Sequence, residues 1–557
     1  MCSTRYYARM CTNCLLDRHK LVLTIVVLYT LVNCVSCDTC QFPAEWTGTW
    51  FQKGVQDPIR IENGTISTKG VCRKADGDKF IIENKYDRCF RCMALYEKHP
   101  NVIQYKETYC FPTPDEISIA LICKKINGDA LLFSMFRLNT PPVPCPFEGP
   151  YVFSYSQGGH KECSDPPSTV DTCTENSRLL FKFQACHFVL VSESKTEELR
   201  CLATWKEGSK FLVGRLVHKH AHSDEEEFRC FVYEKVEDED KYLISQSGDA
   251  TCDGMFSATE GSRTMKLTKV NYSHDRCQFP SWMVCSPEWK TLNGLQTYNL
   301  TEENNSYNIY NATSGKLVTK VLCSREDQKT VTYTQYVVHV TSDCNIGYSC
   351  LRIHQRAPHV VEMQTGKVVN NEAEACNNFD PLSSDFVTLT SVMAKPRVCP
   401  LVGIYFLEGS HVQLAHYHSP EIVTTSCSEY AILTSGCSMG EDRMDLLQEC
   451  ASSKRTLGFN CHGNWEENGT HYVIVSSTGA KNHLCIAYTE NEKSLQFSGS
   501  LETCPRNIQL GRDGLIALNG TNRGLCQDNS APINHITSVT MLFSVLLTFS
   551  LVSHCFR

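Results

Sequence analysis

Two cysteines in this sequence have a spacing that is typical of redox or metal chemistry. Cys89-Phe-Arg-Cys92 could form a redox dithiol or one half of a zinc site. Redox pairs of this type lie at helix starts in α/β folds, and no second Cys/His pair that would complete a zinc site is nearby. We therefore interpret both cysteines as structural disulfide residues.

A run of histidines is the second candidate for chemistry. His218, His220 and His222 alternate along the chain, and carboxylates follow from Asp224 to Glu227. On a strand, this alternation would place the three imidazoles on one face, where they could bind a transition metal. A solvated, charge-rich hairpin is the alternative that we favour. The same interpretation applies to a later group of histidines: His411, His416 and His418.

The sequence lacks the common catalytic signatures. It has no Gly-x-Ser-x-Gly nucleophile elbow, no His-Glu-x-x-His pair and no phosphate-binding Gly-rich loop. A net charge of -8 over 557 residues gives no electrostatic footprint for nucleic acid. We predict a protein that is not an enzyme, uses no metal or other cofactor and does not bind nucleic acid.

The cysteine content and the start of the chain predict export. The chain has 33 cysteines, which would form disulfides in an oxidising compartment. Basic residues up to Lys20 precede an apolar run from Leu21 to Val32, which suits a signal-peptide core and is short for a membrane span. We predict a signal peptide over 1–37, with an uncleaved signal anchor as the alternative.

Recurring motifs divide the rest of the chain into four blocks. Cys40-Gln-Phe-Pro recurs at Cys277, and the Cys-Pro-x-x-Gly motif at Cys145 recurs at Cys399. The order A-B-A-B indicates a duplicated two-domain unit. Further matches support it: Cys92 to Pro100 with Cys350 to Pro358, and Cys201-Leu-Ala with Cys485-Ile-Ala. The predicted domains are A1 over 38–140, B1 over 145–270, A2 over 277–395 and B2 over 399–528, followed by a C-terminal segment over 529–557.

The residue pattern of the four blocks predicts β-strands. β-Branched and aromatic runs of strand length, such as Thr330–Val340, alternate with turn residues. We predict an all-β protein of four disulfide-stapled antiparallel sandwich or barrel domains in tandem. Asn127-Gly128 predicts a hairpin between strands at Ile117–Cys123 and Ala130–Phe136. The only helix that we predict covers Asp442 to Cys450.

The cysteine count leaves one residue over. The four blocks hold six, seven, six and eight cysteines, so three of them can close their disulfides internally. The predicted disulfide residues of those three blocks are Cys40, Cys72, Cys89, Cys92, Cys110, Cys123, Cys277, Cys285, Cys323, Cys344, Cys350, Cys376, Cys399, Cys427, Cys437, Cys450, Cys461, Cys485, Cys504 and Cys526. Block two has an odd set: Cys145, Cys163, Cys173, Cys186, Cys201, Cys230 and Cys252. Its extra cysteine predicts a bond to another molecule, a bond to another block or a free thiol, and spacing does not fix the connectivity.

Sequons and the C-terminus agree with an extracellular, anchored protein. The predicted N-glycosylation sites are Asn63, Asn271, Asn299, Asn304, Asn311, Asn468 and Asn519. Small residues at Asn529-Ser530-Ala531, a polar spacer and an apolar run from Val539 to Val552 match a glycosylphosphatidylinositol signal. We predict a lipid anchor at Asn529 or Ser530. A transmembrane helix is the alternative, although the run is short for one.

Two resemblances follow from these motifs. The block openings resemble those of arthropod and nematode cell-surface proteins with four consecutive cysteine-rich domains of unassigned function. This resemblance implies an extracellular, membrane-tethered protein. Our own hypothesis is that it lies on the outer side of the plasma membrane and binds an extracellular protein, glycan or matrix component, in adhesion or as a co-receptor. Gly48-Thr-Trp50 is similar to the Gly-x-Trp that opens lipocalin barrels and implies, as the alternative, a carrier of a small apolar ligand. A secreted enzyme is the third possibility.

Overall fold

The computed structural model describes residues 40–112, 118–217, 223–237, 239–270, 276–412, 427–437, 440–450, 454–480 and 482–526. These residues form four closed antiparallel barrels of eight strands, one after another along the chain. The predicted all-β class is confirmed, and of the two architectures predicted the barrel is correct.

Barrel A1 starts with a 3-10 helix at Ala44–Trp46 and closes through the pairing of its fifth and sixth strands. A helix at Ile119–Cys123 lies outside the barrel wall and packs on the fifth and sixth strands. The barrel strands, with the short β8 added on β6, are β1 (Gly48–Gln52), β2 (Ile59–Glu62), β3 (Thr65–Ile66), β4 (Gly70–Asp76), β5 (Lys79–Asn84), β6 (Cys89–His99), β7 (Val102–Glu107), β8 (Phe111–Pro112) and β9 (Phe133–Arg137).

Barrel B1 is an up-and-down barrel with one short helix, Asp224–Glu227, before its sixth strand. Its strands are β10 (Tyr151–Gln157), β11 (Cys163–Thr172), β12 (Arg178–Phe183), β13 (Lys195–Glu207), β14 (Ser209–Val217), β15 (Phe228–Lys235), β16 (Lys241–Gln246) and β17 (Arg263–Lys269).

Barrel A2 is preceded by a short helix at Ser281–Val284 and carries a 3-10 helix at Glu372–Glu374. Its strands are β18 (Glu288–Thr291), β19 (Gln296–Leu300), β20 (Ser306–Asn311), β21 (Leu317–Lys329), β22 (Thr334–Ser342), β23 (Asn345–Ala357), β24 (Val360–Thr365) and β25 (Phe386–Ser391). Barrel B2 comprises β26 (Gly403–Val412), β27 (Cys427–Ser435), β28 (Arg443–Cys450), β29 (Lys454–Glu467), β30 (Thr470–Ser477), β31 (His483–Glu490), β32 (Ser494–Ser500) and β33 (Ile516–Asn522).

Alternation along the strands fills the barrel interiors with side chains. On β10, Tyr151, Phe153 and Tyr155 are buried, whereas Val152 and Ser154 between them are only half-buried. An interior of eight strands is just wide enough for side chains to fill. Apolar side chains accordingly form one packed cluster inside each barrel.

The first-strand aromatic is held in the same way in both A barrels. Trp50 Nε1 donates to the carbonyl of Trp46 at 2.9 Å, and Trp289 Nε1 donates to the carbonyl of Met283 at 3.2 Å. The Arg137 guanidinium lies 4.2 Å from the Trp50 ring centroid. Each of the two A barrels therefore begins with a tryptophan that hydrogen-bonds to the helical turn before it.

All four barrels share two disulfides. One joins the leading cysteine of each block to its fourth strand: Cys40–Cys72, Cys145–Cys201, Cys277–Cys323 and Cys399–Cys461. The other joins the sixth strand to the segment between the seventh and the eighth strand of the barrel: Cys92–Cys123, Cys230–Cys252, Cys350–Cys376 and Cys485–Cys504. A and B are thus versions of one barrel. The match of Cys201-Leu-Ala with Cys485-Ile-Ala was wrong, because it aligned a fourth strand with a sixth.

The extra cysteine of block two bonds to another block. Cys173 forms a disulfide with Cys344, so block three does not close internally as we predicted. Three further disulfides are Cys89–Cys110, Cys163–Cys186 and Cys437–Cys526. Cys285 is disulfide-bonded as well, and Cys427 faces Cys450 as a backbone pairing partner on β27 and β28.

The chain divides into two compact units that correspond to the duplicated A-B pair. Unit 1 comprises Met1–Thr172 and Asn176–Val270, and unit 2 comprises Cys173–Glu175 and Asn271–Arg557. In unit 2 the short segment Cys173–Glu175 is held by the disulfide to Cys344 and by a bond from the Thr174 N–H to the carbonyl of Asp343 at 3.0 Å.

Two local predictions were wrong because tertiary pairing outweighed local preference. The helix predicted at Asp442–Cys450 is strand β28, whose Met444 and Leu446 alternate into the B2 core. The hairpin predicted around Asn127-Gly128 does not form. Its first half is the helix Ile119–Cys123, which the bond to Cys92 holds against β6, and the strand that follows, β9, pairs with β1 and β7.

Candidate binding groove in unit 1

Three aromatic rings join the two barrels of unit 1. Phe51 on β1 stacks on Phe228 on β15 with ring centroids 4.9 Å apart and planes 7° apart. Phe136 on β9 stacks on the same Phe228 ring at 5.3 Å. All three rings are buried, in a cluster that also contains Val102 and Leu202. An apolar core of this kind holds A1 and B1 in one arrangement.

A groove of about 570 Å³ opens beside this aromatic contact. One wall is the β1–β2 loop of A1 from Gly54 to Pro58, and the other is the start of the B1 helix at Ser223–Glu225. Phe51 and Leu138 complete the lining. The groove is therefore built by both barrels and exists only while they are in contact.

The B1 wall of the groove is acidic and rigidly held. The Glu225 carboxylate accepts a hydrogen bond from the Gly54 N–H across the groove. Arg215 pairs with Asp224 at 3.0 Å and also with Glu227. Arg215 thus offsets part of the charge of the two carboxylates that it contacts, and the helix Asp224–Glu227, which consists of carboxylates alone, gives this wall its acidic character.

The A1 wall adds a further carboxylate and a second link between the barrels. Asp57 lies on the groove lining and is exposed. Next to the loop, Lys53 Nζ pairs with Asp249 of B1 at 2.5 Å. An apolar floor between carboxylates suits a ligand with an apolar body and a positively charged end.

A second ionic cluster lies between the barrels of unit 2 and is fully occupied by its own side chains. Glu362, which is 0% exposed, accepts from Arg506 Nη2 at 2.6 Å and from Arg356 Nε at 2.7 Å. Arg506 also bonds Glu467 at 2.6 Å. Burial by itself raises the pKa of Glu467, but the two arginines lower it overall. Two charges of each sign cancel, so this cluster joins A2 to B2 and presents no open acid–base pair.

The predicted metal and redox candidates are placed as follows. Cys89 and Cys92 bond to Cys110 and Cys123, so they are structural as predicted. The side chains of His218, His220, His222, His411, His416 and His418 lie outside the described residues. Of the carboxylates proposed beside the first group, Asp224 and Glu227 are engaged by Arg215. Within the described ranges, no three His, Cys, Asp or Glu side chains converge as a metal site requires.

The sequons differ in their surroundings. Three are exposed at turns or strand ends: Asn63, Asn311 and Asn468. Asn519 is exposed, but its Nδ2 donates to the Gly511 carbonyl at 2.9 Å. Asn299 is half-buried, whereas Asn304 is 8% exposed and its Nδ2 donates to the Phe279 carbonyl at 2.6 Å. That buried amide cannot carry a glycan without disrupting the turn.

Asn271 and the anchor residues Asn529 and Ser530 lie outside the described residues, as does the predicted signal peptide.

Comparison with known proteins places three blocks in families without assigned activity. Residues 38–127 match a Domain of unknown function (DUF7044), residues 141–269 match a Domain of unknown function (DUF7042), and residues 273–388 match a Domain of unknown function (DUF7043). No curated protein and no solved structure matches the chain significantly. The chain therefore contains tandem domains of unknown function. Across the part of the chain that the structure describes, no helix is long and apolar enough to span a bilayer.

Sequence reasoning did not find the groove. Phe51 and Phe228 are far apart in the chain, and only the packing of barrel A1 on barrel B1 brings their side chains together. The acidic run from Asp224 to Glu227 was visible, but we considered it only as part of a solvated hairpin or of a metal site. Its value as a groove wall depends on the neighbouring barrel.

Proposed function

We propose that this chain is the ectodomain of an extracellular, membrane-tethered glycoprotein that works by binding, as an adhesion protein or co-receptor. Disulfides that recur in all four barrels support the extracellular location, since they form and persist in oxidising compartments. The lipid anchor and the glycans are part of this proposal. Release of the protein from cells by phosphatidylinositol-specific phospholipase C tests the anchor, and full retention after digestion would contradict it.

The groove of unit 1 is the surface that we assign to the partner, and the observation that supports it is an apolar floor between two acidic walls. The charge favours a basic extended segment of a partner protein, whose arginine or lysine would face Asp57 and the helix Asp224–Glu227. The B1 sequence from Cys145 to Lys269 has no sequon, so none of the predicted glycans is attached within the strands and loops of this barrel.

A charge reversal tests the groove. Asp57→Lys removes one attractive charge and adds a repulsive one, and we expect about tenfold weaker capture of arginine-containing extended peptides by the purified protein, equivalent to about 1.4 kcal/mol. Asp76→Lys is the matched control, because Asp76 is exposed on the same barrel and does not line the groove. Proximity labelling on intact cells with both variants extends the test to natural partners. Equal capture by the two variants would rule out the groove.

The carrier of a small apolar ligand is the weaker candidate. Its support is the A1 arrangement in which Gly48-Thr-Trp50 opens the barrel and Arg137 covers the Trp50 ring. Against it, Ile59, Tyr105 and Met135 are among the side chains that fill the interior where a ligand would sit. Native mass spectrometry of the purified protein distinguishes the two: a bound lipid retained at stoichiometric amount would favour the carrier.

A further inference from the structure

Unit 2 carries three histidines at the contact between its barrels where unit 1 carries side chains that do not titrate. The shared disulfides and strand order align the two units residue by residue. The equivalent pairs, unit 1 first, are Asn101 with His359, Leu202 with His462, and Phe228 with His483. The neighbouring residues preserve the alignment, since the Phe136–Phe228 stack corresponds to a contact between Thr390 and His483.

Two of these histidines pack directly on each other. The rings of His462 and His483 are 4.9 Å apart and nearly perpendicular. His462 Nε2 lies 2.7 Å from Ser476 Oγ, and His483 Nδ1 lies 3.3 Å from Thr390 Oγ1 of the A2 barrel. The backbone N–H of His483 donates to the backbone carbonyl of Leu292 in A2 at 2.9 Å. His483 therefore belongs to the contact itself.

The surrounding contact is tight. A Cβ added at Gly463 would lie 2.8 Å from the Ala357 Cβ and 2.9 Å from Val360 Cγ2. His462 is 5% exposed, and its Nδ1 and the Nδ1 of His359 are buried without a hydrogen bond of good geometry. Burial penalises an added proton at these rings, and for His462 the backbone of Lys395 offsets that cost only in part.

Few opposite charges face these rings. Asp442 is the carboxylate that acts on His462, together with the backbone of Lys395, and His359 acts on it in the opposite direction. Arg397 faces His359, and His462 faces His483. Protonation would thus place up to three positive charges beside one arginine and one carboxylate.

The direction of the pH effect follows. Burial, and then the neighbouring His462, lower the pKa of His483 to about 4. Burial also lowers the pKa values of His462 and His359. A histidine released from the contact would have a pKa near 6.5. The closed contact is therefore fully stable above about pH 6.5 and loses stability as the pH falls toward the lowered pKa values. For each histidine, the equilibrium constant for closing falls by about tenfold per pH unit in that range.

We propose that the contact between A2 and B2 is an acid-sensitive joint, closed while His359, His462 and His483 are neutral and opened when they are protonated. Unit 1, with Asn101, Leu202 and Phe228 at the same positions, is its less sensitive counterpart: beside its contact, His99 Nδ1 accepts from the Asn101 N–H, and burial lowers the pKa of His99. The joint requires no partner and is independent of the groove proposed above. An exported protein that is taken up into an acidic compartment would change shape chiefly in unit 2.

Hydrogen exchange of the whole protein, corrected for the intrinsic pH dependence of exchange, tests this proposal. Between about pH 7 and about pH 5, we expect amides of β29–β31 to lose protection by about tenfold or more. The equivalent amides of β13–β15 are the internal control and should lose less protection, because His99 stands beside that contact in place of three buried histidines. The variant His462→Gln with His483→Asn retains polar atoms toward Ser476 and Thr390 but cannot be protonated there, so it should leave only the smaller response of His359.

Two results would overturn the proposal. One is an equal loss of amide protection in the two units between about pH 7 and about pH 5. The other is an unchanged acid response in the double variant, which would assign the effect to other groups, such as carboxylates or His354, whose pKa burial lowers to about 4. If the double variant does not fold, His359→Asn, which restores the unit 1 residue, should reduce the response by about tenfold per pH unit.

Discussion

Transplanting a histidine into unit 1 should make that unit acid-sensitive. Phe228 is fully buried and stacks on both Phe51 and Phe136, so Phe228→His loses two ring contacts worth about 0.5–1.5 kcal/mol each beyond their buried area. We therefore expect a loss of about 1–3 kcal/mol in the stability of the A1–B1 contact at neutral pH.

Lowering the pH should then cause a second loss of stability at the A1–B1 contact, which can be measured separately from the first. If the new imidazole is desolvated like His483, its pKa falls to about 4. From a reference pKa of about 6.5 down to about pH 5, the contact loses roughly a further 2 kcal/mol, because each pKa unit is worth about 1.4 kcal/mol. Stability is retained above the reference value and lost below it.

Hydrogen exchange at the two pH values measures both losses in the amides of β7 and β15. The matched control is Phe188→His, since Phe188 is 84% exposed and the same chemical change there buries no charge. If Phe228→His shows no more pH dependence than Phe188→His, burial does not control protonation at this position and the reasoning for unit 2 fails with it.

Three further predictions follow from single contacts. Non-reducing peptide mapping should find Cys173 bonded to Cys344, and a free thiol at Cys173 would contradict the structure. Glu362→Gln leaves two buried arginines short of a counter-charge and should destabilise unit 2 by about 3–5 kcal/mol in chemical denaturation; an unchanged midpoint would show that Glu467 alone suffices. Glycopeptide mass spectrometry should find Asn63 occupied and Asn304 unmodified, because the Asn304 amide is buried and hydrogen-bonded; a glycan on Asn304 would refute that turn.

The strands were largely readable because their signal is local. Runs such as Leu179–Phe183 and His471–Ser476 combine alternation with β-branched and aromatic residues, and both lie in strands. The segment Asp442–Cys450 was misread as a helix because its polar residues have no strand preference. Its assignment depends on the two neighbouring strands that pair with it.

The disulfide partners and the contacts between barrels depended on the three-dimensional arrangement. Spacing could show that block two has an odd cysteine, but only the folded chain brings Cys173 to Cys344, 171 residues away. Likewise, nothing in the sequence singles out His462 and His483. Only the structure shows that their rings pack on each other at the contact between barrels, where unit 1 has Leu202 and Phe228.

The sequence by itself determined the all-β class, the four cysteine-led blocks and the odd cysteine, because each rests on composition or on a repeat that local order preserves. The tertiary structure decided barrel over sandwich, the disulfide connectivity, the groove and the histidine contact. The reason is physical: closing a barrel and docking it on a neighbour bring together side chains that lie far apart in the chain, and burial then changes what those side chains can do.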